Sequence, residues 1–372
     1  MLKMLLILYV KLCYQLVNGS LSLLTKLFFK KLIEPTRILV QRNGSIGDSI
    51  TSFPAIAAIK QRFPNAQIDI LTNSGSHHFV GMESLLDSSF YSQIINYFGW
   101  SKKQQYQEIK QKKYDLFVNL SQDKTTWFLE LRRLLFIKYC GIPSAIGFEV
   151  GTVKVLLKFQ NKQMIHLSER ARLLNILKPL SIDGFNSHFP VHDFTTEREK
   201  IKTFYPNLVD STVKKIGIVI GAKRVQNKWP ESHWKKLINK CLSKGIHIYI
   251  IGGHDDVSLA STLSISGVTN ACGKLSILET AALMEQLDLV VSNDTGPMHL
   301  SYAVETPVIG LFSAWQLQNV WYPPQKGNEV FIKSDLSCAP CYSNTCTFNA
   351  CMHAILPEEV FESVTKRLKL VP

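Results

Sequence analysis

The sequence predicts an α/β protein built from two Rossmann-like, parallel-sheet domains that face each other across a cleft. A short apolar strand, Arg37–Gln41, runs into a glycine-containing loop that ends at Asp48 and leads into a helix. A second strand–loop–helix segment lies far downstream at residues 292–299 (Ser-Asn-Asp-Thr-Gly-Pro-Met-His). Alternating strands and helices are typical of parallel sheets covered by helices on both faces. Two such sites suit the transfer of a group from a phosphorylated donor to an acceptor.

The length and the charge of the chain limit the classes of protein to which it can belong. A chain of 372 residues is long enough for two domains, and its 46% of hydrophobic residues is ordinary for globular proteins. The formal net charge of +13 suits an acidic substrate, an anionic membrane surface or nucleic acid. Because no zinc finger, RNA-binding signature or base-reading basic helix is present, we expect no nucleic-acid partner.

Residues 1–35 are predicted to form a basic, amphipathic segment that associates with membranes. The apolar run 4–10 is too short to span a bilayer, and Lys11 interrupts its extension. Leu and Phe side chains would enter the acyl boundary while the lysines meet anionic headgroups. The alternative is a helix packed on the protein's own surface.

The first domain is predicted to cover residues 36–205. Phe63-Pro64 stops its first helix, and the polar, charged stretch 193–212 is the predicted linker to the second domain. The predicted elements of this domain are strands at 37–41, 68–72 and 114–120 and a helix at 49–62.

The second domain, residues 206–372, shows the same alternation. Pro230 opens a predicted helix and Gly245 ends it, as glycine commonly does. Ser276 and Glu279 have capping-box spacing, which predicts another helix start. The predicted elements are strands at 216–220, 246–251, 287–291 and 308–311 and helices at 231–244, from 276 and at 357–370.

Ligands of open α/β sheets bind at the carboxyl ends of strands, where segment 294–297 lies. Thr295 and Gly296 can present backbone N–H groups at the positive end of a helix, which favours a diphosphate. Pro297 suits the first helical position. The alternative use of Asp294 is a helix cap.

A diphosphate site here requires additional positive charge, because the helix dipole contributes only about 0.3–1 kcal/mol at an exposed site. Lys228 is the candidate, and Lys223 and Arg224 lie in the same strand-to-helix loop. Taken alone, Lys228 would be a solvated surface lysine. Its position at a strand end, like that of Asp294, favours a role in donor binding.

Asp48 is the candidate general base. It lies where a helix cap belongs, and capping is the commonest use of such a residue. An ionised carboxylate at this position can also accept the proton of an attacking hydroxyl group, which typically contributes a factor of about 10²–10⁴. The loop lacks the G-x-G-x-x-G and P-loop patterns, and the chain has no D-x-D pair, so we expect no cofactor and no catalytic metal ion.

Residues that follow another predicted strand suggest how a nucleoside would be bound. Asp255 and Asp256 can accept hydrogen bonds from ribose hydroxyl groups, or they can cap a helix. Leu275 can pack against a base ring, or it can belong to the core.

Together these motifs resemble glycosyltransferase family 9, the lipopolysaccharide heptosyltransferases, over nearly everything after residue 36. The segment 292–299 is similar to the family's donor-phosphate motif and is the most specific match. The other matching segments are 38–48, Phe53-Pro54, 62–64, 228–231 with Trp234, and the cysteine-containing tail that begins at Cys338.

The resemblance implies a GT-B fold and an inverting, metal-independent transfer of heptose from ADP-heptose to a lipid-linked, acidic saccharide. With the basic N-terminal segment, we expect a peripheral location on the cytoplasmic face of the inner membrane. Asp48 would be the general base, and Asp294 would contact the donor. Ala222-Lys223-Arg224 departs from the small hydroxyl residues that many members carry, which leaves the sugar open. The residues that the resemblance assigns to the diphosphate are Lys228, Thr295, Gly296 and His299.

Four cysteines, Cys338, Cys341, Cys346 and Cys351, lie close together in the tail. Four soft ligands in a short loop can hold a structural zinc ion, although the spacing departs from paired C-x₂-C. Reduced thiols and local disulfides are the alternatives.

Other functions remain open from the sequence. A glycosyltransferase with a different nucleotide-sugar donor and a nucleotide-sugar epimerase fit a similar fold, and a non-catalytic saccharide-binding protein is a third class. Asp48 argues against the last. The basic run 102–113 suits an acidic acceptor, or it forms a solvated helix face.

Overall fold

The computed structural model describes residues 2–30, 34–73, 81–122, 125–150, 166–183, 189–346 and 348–370. The chain divides into two compact units, Met1–Pro190 and Val191–Pro372. Each unit is built on its own parallel sheet.

The first unit contains a five-stranded parallel sheet with the order β3-β2-β1-β4-β5. The chain therefore runs outward from β1 in one direction and restarts beside β1 with β4, as in Rossmann-like folds. The strands are β1 (Arg37–Gln41), β2 (Gln67–Thr72), β3 (Gln93–Asn96), β4 (Leu116–Asn119) and β5 (Ser144–Ile146). The helices are α1 (Leu2–Phe28), α2 (Ile46–Arg62), α3 (Lys102–Gln111), α4 (Trp127–Tyr139) and α5 (Glu169–Ile176).

The helix α1 packs on α4, and residues in and just after it bond to the segments that flank the edge strand β5. The Lys30 N–H donates to the carbonyl oxygen of Pro143 at 2.8 Å. The Asn18 side chain exchanges two hydrogen bonds with the backbone of Val150, at 3.1 and 2.8 Å. Leu21 and Phe29 are buried. The C-terminal half of α1 thus packs on the protein's own surface, which was the alternative for this segment.

The second unit contains a six-stranded parallel sheet with the order β11-β10-β9-β6-β7-β8. The order reverses between β6 and β9, which is where ligands of such sheets bind. The strands are β6 (Lys215–Val219), β7 (His247–Ile251), β8 (Val268–Asn270), β9 (Leu289–Asn293), β10 (Val308–Phe312) and β11 (Glu329–Ile332). The helices are α6 (Thr195–Phe204), α7 (Glu231–Ser243), α8 (Val257–Leu263), α9 (Ile277–Glu285), α10 (Gly296–Ala303), α11 (Ala350–His353) and α12 (Pro357–Arg367).

The prediction of a linker at residues 193–212 is wrong for the first half of that segment, because α6 occupies it. Arg198 on α6 donates to Glu285 on α9 at 2.8 Å, and Ile201 is buried. A polar, charged surface on α6 resembles a linker in sequence. Its packing on α9 makes it part of the second unit, so the units divide earlier than the predicted boundary after residue 205.

Two predicted helix ends have the expected geometry. At the start of α9, the Glu279 N–H donates to Ser276 Oγ at 3.2 Å, and the Ser276 N–H donates to Glu279 Oε2 at 2.8 Å. Gly245, which follows α7, has φ +72°, a conformation that favours glycine. Four short strands, β3, β5, β8 and β11, have no predicted counterpart.

Candidate active site

Asp48 lies at the start of α2, directly after the loop that follows β1. The helix begins at Ile46 with Ser45 as its N-cap, so Asp48 is the third helical residue and not the N-cap, and its carboxylate takes part in a capping box with Ser45. Its Oδ2 accepts hydrogen bonds from the Ser45 N–H at 2.7 Å and from Ser45 Oγ at 2.8 Å. The side chain keeps 12% of its surface exposed, so one carboxylate oxygen is fixed while the group still reaches solvent.

Arg42 holds the backbone at Asp48. Its Nε and Nη2 donate to the Asp48 carbonyl oxygen at 3.0 and 2.8 Å, and its Nη1 donates to the carbonyl oxygen of Leu120 at 2.9 Å. The fully buried guanidinium is also paired with Glu169 Oε1 at 2.9 Å. Because Leu120 follows β4, this one side chain joins the loops that follow the neighbouring strands β1 and β4.

The buried charge network continues from Glu169. Arg172 Nε donates to Glu169 Oε2 at 2.8 Å, and Arg172 Nη1 donates to Glu149 Oε1 at 2.8 Å. Burial raises the pKa of Glu169, but Arg172 and Arg42 outweigh it, so the pKa lies below its ordinary value. Arg42 and Glu169 are 127 residues apart, and the sequence gives no signal that pairs them.

In the second unit, the loop after β9 leads into α10. Thr295 is the N-cap of α10, and Gly296 and Pro297 are its first two residues, so Pro297 stands one position later than predicted. Thr295 and Gly296 are both half-buried, at the positive end of the helix. The N-cap is Thr295 and not Asp294, whose Oδ2 accepts a hydrogen bond from Asn227 Nδ2 at 3.1 Å.

Asn293, which sequence reasoning missed, joins the loops that follow β6 and β9. Its buried Nδ2 donates to the carbonyl oxygen of Ile220 at 2.7 Å, and its Oδ1 accepts from the Trp229 N–H at 3.1 Å. Asn227 contacts Asp294 from the same loop and accepts a hydrogen bond from Ser313 Oγ at 2.6 Å. Asn227 and Asn293 are polar residues next to the predicted motifs, and this position is the signal by which the sequence could have identified them.

The three predicted cations lie in the loop between β6 and α7. Lys228 is half-buried, and its ammonium group forms no hydrogen bond or ion pair with any residue that the structure describes. Lys223 and Arg224 are exposed, and the Arg224 guanidinium lies 4.0 Å from the centroid of the Trp315 ring. Strand pairing places this loop beside the Asp294 loop, as predicted.

Asp256 lies above the carboxyl ends of β6 and β7. Its Oδ2 accepts from the Gly253 N–H at 3.2 Å, and a Cβ added to Gly221 would lie 2.0 Å from the same oxygen. Asp255 is exposed, and Leu275 is half-buried. Of the two aspartates, Asp256 is the one that contacts the strand ends.

His299 lies inside α10 and is 3% exposed. Its Nδ1 is 2.7 Å from the Tyr302 hydroxyl group, and its ring meets the Trp321 ring edge-on, with the centroids 6.1 Å apart. The structure therefore buries this predicted diphosphate ligand among aromatic rings.

The four tail cysteines are free, and within the described residues no three His, Cys, Asp or Glu side chains come together as a set of metal ligands. The structure does not assemble the zinc site that the sequence left open.

Two doubly wound units, with strand-end loops that carry a carboxylate in one and cations beside a helix N-terminus in the other, define a glycosyltransferase of the GT-B fold. The family model for glycosyltransferase family 9 (heptosyltransferase) matches residues 104–352, which is more than half of the chain. The chain belongs to glycosyltransferase family 9.

Similar proteins agree with this assignment. Lipooligosaccharide heptosyltransferase 2 of Campylobacter jejuni subsp. jejuni serotype O:6 is 25% identical over 340 residues, which cover 89% of this chain and 98% of that relative. A family 9 glycosyltransferase from Veillonella parvula has a similar structure, with a TM-score of 0.72 and 19% identity over 91% of this chain and 99% of that chain. An Escherichia coli heptosyltransferase solved with ADP-2-deoxy-2-fluoro heptose has a TM-score of 0.60 and 18% identity, over 89% and 99% of the two chains. These structural likenesses show the fold.

Proposed function

We propose that this glycosyltransferase transfers heptose from ADP-heptose to a lipid-linked, acidic saccharide of the lipopolysaccharide core, with inversion and without a metal ion. Family membership carries the proposal, because curated relatives along nearly the whole chain are named heptosyltransferases. The structure solved with an ADP-heptose analogue supports the choice of donor. The pairing of the loops after β6 and β9 supports a diphosphate site in the second unit.

In this proposal Asp48 takes the proton of the acceptor hydroxyl group as that oxygen attacks the anomeric carbon of the donor. Ser45 donates two hydrogen bonds to Oδ2 of the Asp48 carboxylate, and these bonds fix the plane of the group. Oδ1, which lies 3.8 Å from Arg42 Nη2, is then the oxygen that accepts the proton. A base positioned in this way typically contributes a factor of about 10²–10⁴ to the rate.

The second unit binds the departing nucleotide. The N–H groups of Thr295 and Gly296 donate to the diphosphate, and Lys228 neutralises charge as the bond to the sugar breaks. Asp256 accepts hydrogen bonds from the ribose, and Asp294 contacts the donor. Lys223 and Arg224 add positive potential, and His299 supports the diphosphate loop from inside α10.

The protein acts at the cytoplasmic face of an anionic membrane in this proposal. None of the described helices combines the length and the apolar composition that crossing a bilayer requires. Instead α1 exposes an apolar stripe, in which Leu16, Leu23 and Leu27 are 66%, 59% and 71% exposed. Its polar residues Asn18, Ser22 and Thr25 line a cavity of about 640 Å³ against β5. A helix with its apolar side outward and no acidic residue suits an anionic lipid surface.

The direct test is acceptor-dependent release of ADP. Purified protein is incubated with ADP-heptose, with and without a heptose- or Kdo-terminated core acceptor, and with a chelator in parallel. We expect ADP and a product of inverted anomeric configuration only with acceptor, and no effect of the chelator. Isomerised donor without acceptor would indicate an epimerase, and turnover only with another nucleotide sugar would reassign the donor.

A further inference from the structure

A second pocket lies in the first unit, at the carboxyl edge of its sheet. It has a volume of about 400 Å³, within the range of small-molecule sites of about 300–1,000 Å³. Gln41 at the end of β1 and Tyr97 just after β3 form one side, and α3 and α4 form the other. The cations that line it are Lys102, Arg132 and Arg133.

The positive charge of this pocket is only partly compensated. Arg133 is paired with Glu130, whose carboxylate also accepts hydrogen bonds from Asn119 and Thr125, both at 2.8 Å. Lys102 Nζ bonds to the neutral Gln105 Oε1 at 3.0 Å. Arg132 has no hydrogen bond or ion pair with any described residue. Two of the three cations thus lack an anionic partner.

The clustered positive charges affect the pKa of Lys102. Lys102 and Arg132 are both exposed. Partial desolvation of Lys102, together with the charges of Arg132 and Arg133, lowers the pKa of Lys102 from its ordinary value. Because like charges gathered in one pocket repel, an anion bound there would relieve the repulsion.

The pocket is joined to the loop that carries the candidate base. Asn43, five residues before Asp48, donates from Nδ2 to the Tyr97 hydroxyl group at 2.7 Å. Gln41, at the start of that loop, is 3.5 Å from the same hydroxyl group. An acceptor anchored in the pocket would therefore contact the loop of Asp48.

The helix α4 also presents a second, apolar face. Phe128, Leu135 and Tyr139 are 76%, 46% and 69% exposed, and Arg132 shares their helical spacing. The α4 helix packs on α1, where Trp127 Nε1 donates to Ser20 Oγ at 2.9 Å. One helix thus carries a basic side chain, Arg132, within an exposed apolar stripe, which is the pattern that suits an anionic amphiphile.

We propose that this pocket binds the carboxylate or phosphate group of the lipid-linked acceptor, with Lys102 and Arg132 as its ligands and Tyr97 linking it to the loop of Asp48. The proposal rests on the proposed function and specifies the acceptor site in the first unit. In this proposal the basic side chains of α3 and α4 select the acceptor by its negative charge.

The experiment compares Lys102→Ala/Arg132→Ala with the control Lys103→Ala, which removes a lysine of the same helix that does not line the pocket. Three acceptors are used: a phosphorylated Kdo-terminated core saccharide, its methyl ester, and its dephosphorylated form. The measurements are the KM for each acceptor, the KM for ADP-heptose, and calorimetric binding of each acceptor without donor.

We expect the double variant to raise the acceptor KM and Kd by about 10- to 100-fold, with the KM for ADP-heptose unchanged and the control like wild type. The increase in KM and Kd should vanish with the acceptor that lacks the recognised group. If the pocket binds the carboxylate, that acceptor is the methyl ester; if the pocket binds the phosphate, it is the dephosphorylated form. An equal penalty on all three acceptors, or no penalty, would overturn the pocket assignment while leaving the transferase function intact. Failure of wild type to transfer heptose to any acceptor would instead contradict the proposed function.

Discussion

Arg42 donates two hydrogen bonds, of 3.0 and 2.8 Å, to the backbone carbonyl oxygen of Asp48, and it does so from a fully buried guanidinium group. The position of the candidate base is therefore set by a buried cation, and that cation is in turn balanced by Glu169. A charge buried in this way is costly unless it stays paired.

Replacing Glu169 by Ala is expected to lower the free energy of unfolding by about 3–5 kcal/mol, because it leaves two arginines without their buried partner. Urea denaturation followed by circular dichroism measures the change. The control is Glu149→Gln, whose carboxylate is 37% exposed and pairs with Arg172 at the surface, for which we expect about 1 kcal/mol or less. Equal losses in both variants would show that the network does not hold this unit together.

The same carboxylate predicts an acid sensitivity. The pKa of Glu169 is lowered in the folded protein, so its contribution to stability is present above the unfolded pKa of about 4.3 and is lost as the pH falls through the folded value. Unfolding free energies measured in steps below pH 5 should fall less steeply in Glu169→Gln than in wild type. Parallel curves would mean that Glu169 makes no linked contribution.

A Cβ added to Gly221 would lie 2.0 Å from the Asp256 carboxylate, so we expect that side chain to move when Gly221 is replaced by Ala. Gly221→Ala should displace the Asp256 carboxylate and raise the Kd for ADP by about 10-fold, about 1.4 kcal/mol, because a hydrogen bond to the ribose is lost. Gly253→Ala is the matched control, since a Cβ added there meets nothing within 4 Å. Calorimetric titration with ADP compares them, and unaltered affinity in Gly221→Ala would remove Asp256 from the nucleotide site.

Leu16→Glu/Leu23→Glu/Leu27→Glu is expected to abolish flotation with anionic vesicles, because it places three carboxylates in the exposed stripe of α1. Val209→Glu is the control, an exposed apolar residue of the second unit at 69% exposure. Light scattering on the same samples reports the oligomeric state. Unchanged vesicle recovery would contradict membrane docking, and a dimer that the triple variant dissociates would assign the stripe to self-association.

Much of the fold follows from local patterns in the sequence. The strand β1 has its predicted bounds, and apolar strands that end in polar loops predicted the two sheets. The starts of α2 and α10 were misplaced because the prediction treated Asp48 and Asp294 as possible caps. Ser45 and Asp48 have the same spacing as Ser276 and Glu279, so the sequence did contain a signal for the true N-cap of α2.

The features that could not be predicted depend on contacts between distant residues. The ion pair of Arg42 and Glu169 and the bridge from Asn293 to Ile220 form only when strands assemble side by side. The basic pocket arises in the same way, because Lys102 and Arg132 come from different helices. A single sequence contains no periodicity that links such residues.

The most direct test of the account is the turnover of Asp48→Asn, which keeps the size of the side chain and an oxygen that can accept from Ser45. We predict that kcat for acceptor-dependent ADP release falls by about 10²–10⁴, while the Kd for ADP stays within about 2-fold of wild type. Turnover close to that of wild type, with the same ADP affinity, would contradict the role of Asp48 as the base.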